Sequence, residues 1–385
     1  MRDAVIVDAV RSPLGRRNGR LKDMHPVDLS ADVLNALTER TGIAPDLVDD
    51  VIWGCVGQVG EQAGNPGRNA VLAAGWPETI PGTTIERQCG SSQQALHFAA
   101  AGVIAGQYDV AVAGGVESMS RIPMGSARRV GLGDPNSDRI KSRYDGIEFN
   151  QMRGAEMLAE QYGIDRGWMD AYSVRSHDRA AAAIDAGRFD AEIVPIELAD
   201  GSVFSVDEGV RRGSTVDKLS TLTPILGEDR YVTAGNASQI SDGASALLVM
   251  SSERANELGL RPLARVHTAT VVGTDPVTML AGPIPATALA LKRAGLSLSD
   301  IGAFEVNEAF ASVVGAWLTE TGADETLVNP NGGAIALGHP LGGSGARLAT
   351  TLVHHLRASG VRYGLQTMCE GGGMANATIL ENLSV

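Results

Sequence analysis

The 385-residue chain has room for two or three domains of ordinary size and a sizeable core. Hydrophobic residues at 44% and charged residues at 20% exclude a wholly disordered chain, and no apolar run reaches the roughly 18 residues needed to span a bilayer. With 32 basic against 45 acidic residues the net charge is −13, which opposes general nucleic-acid binding because that needs a basic surface.

The opening Met1-Arg2-Asp3-Ala4-Val5-Ile6-Val7 enters a strand pattern at once and lacks the regions of a signal peptide, so a soluble, cytoplasmic protein is expected. A helical segment over 32–41 then leads through 42–48 to the apolar stretch 51–56. After Arg87-Gln88-Cys89-Gly90-Ser91-Ser92, a helix over 93–104 passes Gly106 into a strand over 109–113, which is expected to stop at Gly114-Gly115. Residues 117–235 break this pattern, with helices expected over 154–162 and 168–186, and 244–250 resumes a strand.

The same order returns later. A helix over 287–294 leads through 295–301 to a strand over 303–307, and a helix over 345–356 turns near Gly360 into a strand over 365–368 that ends at Gly371-Gly372-Gly373. The chain reads as duplicated, two layered α/β halves each with a mostly covered sheet, interrupted by an inserted cap.

Cys55, Cys89 and Cys369 are odd in number and far apart, so they read as thiols rather than disulfides or paired metal ligands; Cys55 is assigned a structural place. Cys89 stands where a helix begins, and the unpaired amides there lower a thiol's pKa, whereas burial makes it inert; this segment alone leaves both open. His339 lies in a glycine-bounded loop where a neutral imidazole can take a proton from a thiol, although a loop histidine is most often a polar surface residue. Cys369 meets Glu370 and three glycines whose amides can form an oxyanion pocket, or is simply a small core residue at a strand end. Asn307 follows a strand, where its amide can orient a water or a carbonyl oxygen or cap the next helix. Neither zinc-type spacing nor a GxxxxGK[ST] or GxGxxG fingerprint is present, so no metal and no nicotinamide are expected.

Taken together, Arg87-Gln88-Cys89-Gly90-Ser91-Ser92, Asn307-Glu308-Ala309-Phe310, Gly338-His339-Pro340-Leu341-Gly342 and Cys369-Glu370-Gly371-Gly372-Gly373 resemble, in order and spacing, the four signature blocks of the thiolase family. The resemblance runs from Ala4 to the last glycine block. It implies two βαβαβαββ halves in a layered αβαβα arrangement: 1–117 with 244–264 as the N-terminal half, 118–243 as a loop domain for coenzyme A, and 265–385 as the C-terminal half. It implies Cys89 as acyl-accepting nucleophile, His339 as its base and Cys369 as acid/base at the substrate's α-carbon. Asn307 matches the position that orients a water in one oxyanion hole, shared with His339, and the amides of Cys89 and Gly371 match the second. Ala234-Gly235-Asn236-Ala237-Ser238 resembles a pantetheine-contacting segment, with Ser238 as the contact, and Arg211 falls near a nucleotide-contacting position.

The implied activity is cleavage of a 3-oxoacyl-CoA by coenzyme A, or the reverse condensation, in a homodimer or homotetramer with coenzyme A as co-substrate and no tightly bound cofactor. Ser92-Gln93, Gln151-Met152 and Glu370 depart from common family residues near the acyl pocket, and the Cys89 block looks more like degradative members, some acting on bulky acyl chains. A decarboxylating ketoacyl synthase and a non-catalytic acyl-CoA-binding scaffold are the alternatives; the first normally carries His or Asn where Cys369 stands.

Overall fold

The computed structural model describes residues 2–129, 131 and 133–385. Strand β1 (Val5–Arg11) is buried along its whole length, as an apolar run covered on both faces should be. Helix α1 (Pro26–Thr41) begins before the expected residue 32, because Pro26 suits the first turn and the His25 side chain accepts from Val27 N. It closes at Gly42, whose φ of 70° needs a glycine.

Strands β2 (Asp50–Gly54), β3 (Gly82–Ile85) and β4 (Val110–Ser118) run parallel, in the spatial order β3-β2-β4. Helices α2 (Pro66–Ala73) and α3 (Ser91–Ala105) make the crossovers. β4 continues through Gly114 and Gly115 instead of stopping there. A Cβ on Gly114 would stand 2.3 Å from the Trp53 ring, and one on Gly115 2.3 Å from the Gly342 carbonyl oxygen. Close packing, not a turn, requires glycine at both positions.

Between β4 and β5 (Ser241–Met250) lie α4 (Gln151–Tyr162), α5 (Arg166–Asp185) and a small ribbon pairing Ile196–Glu197 with Val203–Phe204. Asn150 caps α4 and Asp165 caps α5 by accepting their first amides. β5 lies antiparallel between β4 and β1.

The second half contains β6 (Ala264–Gly273), α6 (Pro283–Ala294), β7 (Ile301–Val306), α7 (Ala311–Thr321), α8 (Leu341–Ser359), β8 (Tyr363–Glu370) and β9 (Met374–Asn382). β7 is parallel to β8, and β9 is antiparallel to both β8 and β6, which repeats the first half. The counterpart of β3 is reduced to a parallel bridge between Phe304 and Val328. β1 meets β6 only at Val5 with Arg265 and Ile6 with Ala264, joining the half-sheets into the order β7-β8-β9-β6-β1-β5-β4-β2-β3.

Helices α3 and α8 fill the middle layer. Leu96, Ala99 and Val103 of α3 and Ala346, Leu352 and Val353 of α8 share one buried cluster with Ile52 and Leu247 of the first half and Ala303 and Leu380 of the second. α1 and α2 pack on the outer face of the first half-sheet, α6 and α7 on that of the second, which makes five layers. Small residues let the middle helices touch: a Cβ on Gly345 would lie 2.2 Å from Gln93 N. Truncating Leu352 to Ala here would cost about 2–5 kcal/mol, the usual range for a buried leucine. Among the described residues no helix is long and apolar enough to cross a membrane.

Candidate active site

The signature loops leave the C-terminal ends of β3, β7 and β8 and the N-terminus of α8. Cys89 sits in the turn from β3 into α3. Gln88 before it holds a left-handed φ of 49°, and Ser91 ties the turn by donating to Gln88 O at 2.6 Å and accepting from Arg87 N at 2.9 Å. Cys89 is half-buried, whereas His339 and Cys369 are buried. Gly371 follows β8 and packs on the Cys89 turn, since a Cβ there would lie 2.8 Å from Gln88 Oε1.

His339 and Asn307 meet directly. Asn307 Nδ2 lies 3.4 Å from His339 Nε2, and Asn307 N donates to Thr367 O on the neighbouring strand at 3.0 Å. The other ring nitrogen, Nδ1, is 2.6 Å from Ser344 Oγ, whose single hydrogen is spent on Pro340 O at 2.8 Å. Ser344 therefore accepts from Nδ1–H, and Nε2 keeps its lone pair on the Asn307 side. Burial, reinforced by the Arg347 charge, pushes the imidazole down to about 3, so it rests neutral.

Two buried carboxylates brace these loops. Glu308 accepts from Tyr172 Oη and Ser176 Oγ, both at 2.7 Å, and from Asn329 Nδ2 and Ile335 N, both at 3.0 Å. Glu117 accepts from Val56 N, Gly57 N, Gln62 Nε2 and Gly342 N, which ties the end of β4 to the start of α8. Burial pushes the Glu117 carboxyl up while these donors pull it back. Gln239 adds a third brace: its carbonyl accepts His339 N at 3.1 Å, and its Nε2 donates to Gly209 O, Ile335 O and Ala336 O.

Both thiols rest protonated. Burial pushes Cys369 up to about 12, and it pushes Cys89 well above the ordinary thiol value, helped by the nearby Cys369, Glu370 and Glu117. Of the two readings the sequence leaves open for Cys89, burial prevails over the α3 N-terminus, because removing a thiolate from water outweighs a partial dipole charge.

The structure thus brings Cys89, Cys369 and Gly371 together at the start of α3, and it sets Asn307 against His339, with the Asn307 amide tied to β8 two residues before Cys369. Ser238 joins this assembly through its amide, which donates to Ala309 O at 2.9 Å. Arg211 stands exposed on a loop, with its amide donating to His177 Nδ1 at 3.1 Å. Cys55 is buried with its Cα against Gly342, in keeping with a structural place. Sequence reasoning missed Ser344, Glu117, Glu308 and Gln239. Glu308 sits beside Asn307 and Ser344 lies five residues after His339, so adjacency to the loops was the available signal.

Sequence profiles described as "Thiolase, N-terminal domain" and "Thiolase, C-terminal domain" match residues 4–253 and 260–382. The chain belongs to the thiolase family. It is 52% identical over 389 residues to the steroid 3-ketoacyl-CoA thiolase FadA6 of Mycobacterium tuberculosis, covering 100% of this chain and 95% of that protein. It is 45% identical over 395 residues to the 3-ketoacyl-CoA thiolase FadA of Escherichia coli, covering both chains in full. The crystal structure of the Bacillus anthracis acetyl-CoA acetyltransferase superposes with a TM-score of 0.91 at 41% identity, over 100% of this chain and 99% of that one. The thiolase is accordingly an acyltransferase with the layered thiolase fold.

Proposed function

We propose that this thiolase cleaves a 3-oxoacyl-CoA with coenzyme A to acetyl-CoA and a shortened acyl-CoA, or runs the reverse condensation. The observation that carries the reading is the His339 ring, held by Ser344 on Nδ1 with its Nε2 lone pair towards Asn307, and it is supported by burial that favours the neutral form of both thiols at the start of α3. The Cys89 sulfur attacks the 3-keto carbon as its proton passes to His339 Nε2. The bond between C2 and C3 then breaks, and the enolate of acetyl-CoA takes its proton from Cys369, which burial keeps protonated and ready to donate. Coenzyme A gives its thiol proton to the Cys369 thiolate and attacks the acyl group. The departing Cys89 sulfur recovers its proton from His339, so the cycle closes.

Negative charge develops at two oxygens, the enolate and the tetrahedral centre, so two donor sets are needed. Asn307 with His339 suits one, and the amides of Cys89 and Gly371 suit the other; losing one donor typically slows turnover about 10²- to 10³-fold. Residues 118–243 serve as the loop domain for coenzyme A, with Ser238 and Arg211 as contacts, and the enzyme works as a cytoplasmic homo-oligomer. Cys369 and the match of both halves to thiolase profiles favour this reading over a decarboxylating synthase or a scaffold without turnover.

The test is release of acetyl-CoA and shortened acyl-CoA from short, long and ring-bearing 3-oxoacyl-CoA substrates. The steroid thiolase relative makes the ring-bearing member the first to try. Cleavage by the native enzyme and none by Cys89→Ala is expected; an acyl adduct persisting in that variant would sink the assignment.

A further inference from the structure

Glu370 is an ionisable group beside the nucleophile that the reaction above leaves without a task. Side chains along β8 alternate between faces. Cys369 packs on one face in a cluster with Ala375 and Phe310, and Glu370 turns to the other, over the first turn of α3. A Cβ added at Gly90 would stand 2.0 Å from Glu370 Oε1 and 2.7 Å from Asn376 Nδ2, so the carboxyl lies against the residue that follows Cys89. Its exposure is 0%, and neither oxygen has a hydrogen-bond partner among the described residues. The nearby Arg87 directs Nη1 at Met374 Sδ, 3.8 Å away, and its Nε is unpartnered.

The other orphaned groups between α3 and the strands β8 and β9 are acceptors. Asn376 Oδ1, Gln93 Oε1 and Gln366 Oε1 lack donors. The amide nitrogens are engaged: Asn376 Nδ2 on Gly90 O at 3.1 Å, Gln93 Nε2 on Thr378 Oγ1 at 2.8 Å, Gln366 Nε2 on Gly345 O at 2.7 Å. An ionised carboxylate would add two more acceptors and an unpaired buried charge to this seam. A carboxylic acid supplies a donor and no charge.

We propose that Glu370 is held as a neutral carboxylic acid between α3 and β9, and that it acts as a positioning residue whose lack of charge lets Cys89 ionise. The proposal deepens the thiolase reading and rests on it only for Cys89 as the reacting thiol. Burial raises the Glu370 carboxyl to about 8, against the pull of Arg87 and with the push of Glu86. Below that pH the group is neutral; above it the anion pushes both Cys89 and Cys369 further up. The ionisable groups facing it are Glu86, Arg87 and Cys89 from the turn before α3 and Cys369 from β8, while β9 presents Met374 and Asn376. Glu117 also acts on Cys89, and four donors hold it.

The test is alkylation of Cys89 by iodoacetamide on the intact enzyme from about pH 6 to about pH 10, located by peptide mass spectrometry, for wild type and Glu370→Gln. At about pH 9 the variant should react about threefold to tenfold faster, equivalent to about half to one unit in the Cys89 profile. The two profiles should converge below about pH 7, where wild-type Glu370 is neutral as well. Profiles that superimpose throughout would overturn the proposal, as would a constant ratio at every pH, which reports structure rather than charge. Should Glu370→Gln lose its circular dichroism spectrum, Glu370→Ile provides the same uncharged comparison. No substrate is involved, so this result and the cleavage assay fail independently.

Discussion

Ser344→Ala removes the group that assigns the proton on His339. In the native site Ser344 Oγ spends its hydrogen on Pro340 O and accepts from Nδ1–H at 2.6 Å, which keeps Nε2 unprotonated. The Asn307 amide facing Nε2 agrees with that assignment. The variant leaves Nδ1–H buried without a partner, which costs about 1–3 kcal/mol. That cost falls on the one tautomer able to take the Cys89 proton, so kcat/KM should drop about fivefold to 150-fold at about 1.36 kcal/mol per factor of ten. The assay is rapid-quench measurement of Cys89 acylation in the absence of coenzyme A, with thermal unfolding in parallel. Acylation within about twofold of the native rate, a loss of less than about 0.5 kcal/mol, would refute the assignment of Ser344 as the tautomer-fixing partner.

Three further outcomes follow from the packing. Glu308→Ala strands four donors on Tyr172, Ser176, Asn329 and Ile335 and should lose about 3–5 kcal/mol in denaturant unfolding; a loss below about 1 kcal/mol would show that these loops are held otherwise. Gly345→Ala drives a methyl group to 2.2 Å from Gln93 N between the middle helices, so a melting temperature lowered by the equivalent of about 1–3 kcal/mol or more is expected, and an unchanged one would contradict the close helix contact. Burial depresses His97 and His339 to about 3 and His177 to about 4. Their contribution is therefore complete above about pH 6.5, the unfolded value, and is lost as pH falls towards the folded values. Glu305 and Glu370, raised to about 8, work the other way: their contribution is complete below the ordinary carboxyl range and is lost as pH rises through about 8. His97→Gln should shrink the fall in melting temperature between about pH 7 and about pH 4.5, and an equal or larger fall would disprove a neutral buried His97.

By itself the sequence determined the duplicated order of helices and strands, the family, and the residues on the four site loops. Those are local matters: apolar alternation, glycines such as Gly42 and Gly360 that close helices at positive φ, and short motifs whose residues touch because they are adjacent. Where an element depends on remote neighbours, the same reasoning stops short. Gly114 and Gly115 look like a strand end, and only Trp53 and the Gly342 carbonyl, brought in from other layers, show why the strand runs on through them. The charge state of Cys89 was decided in the same way. The helix start that can lower its pKa is visible in the chain, but its burial beside Cys369, Glu370 and Glu117 joins two separate strands, β8 and β4, to α3, and desolvation in that assembly outweighs the helix dipole. Tertiary structure alone also chose which nitrogen of His339 carries the proton and left Glu370 uncompensated, because both depend on what surrounds a side chain rather than on what precedes it in the chain.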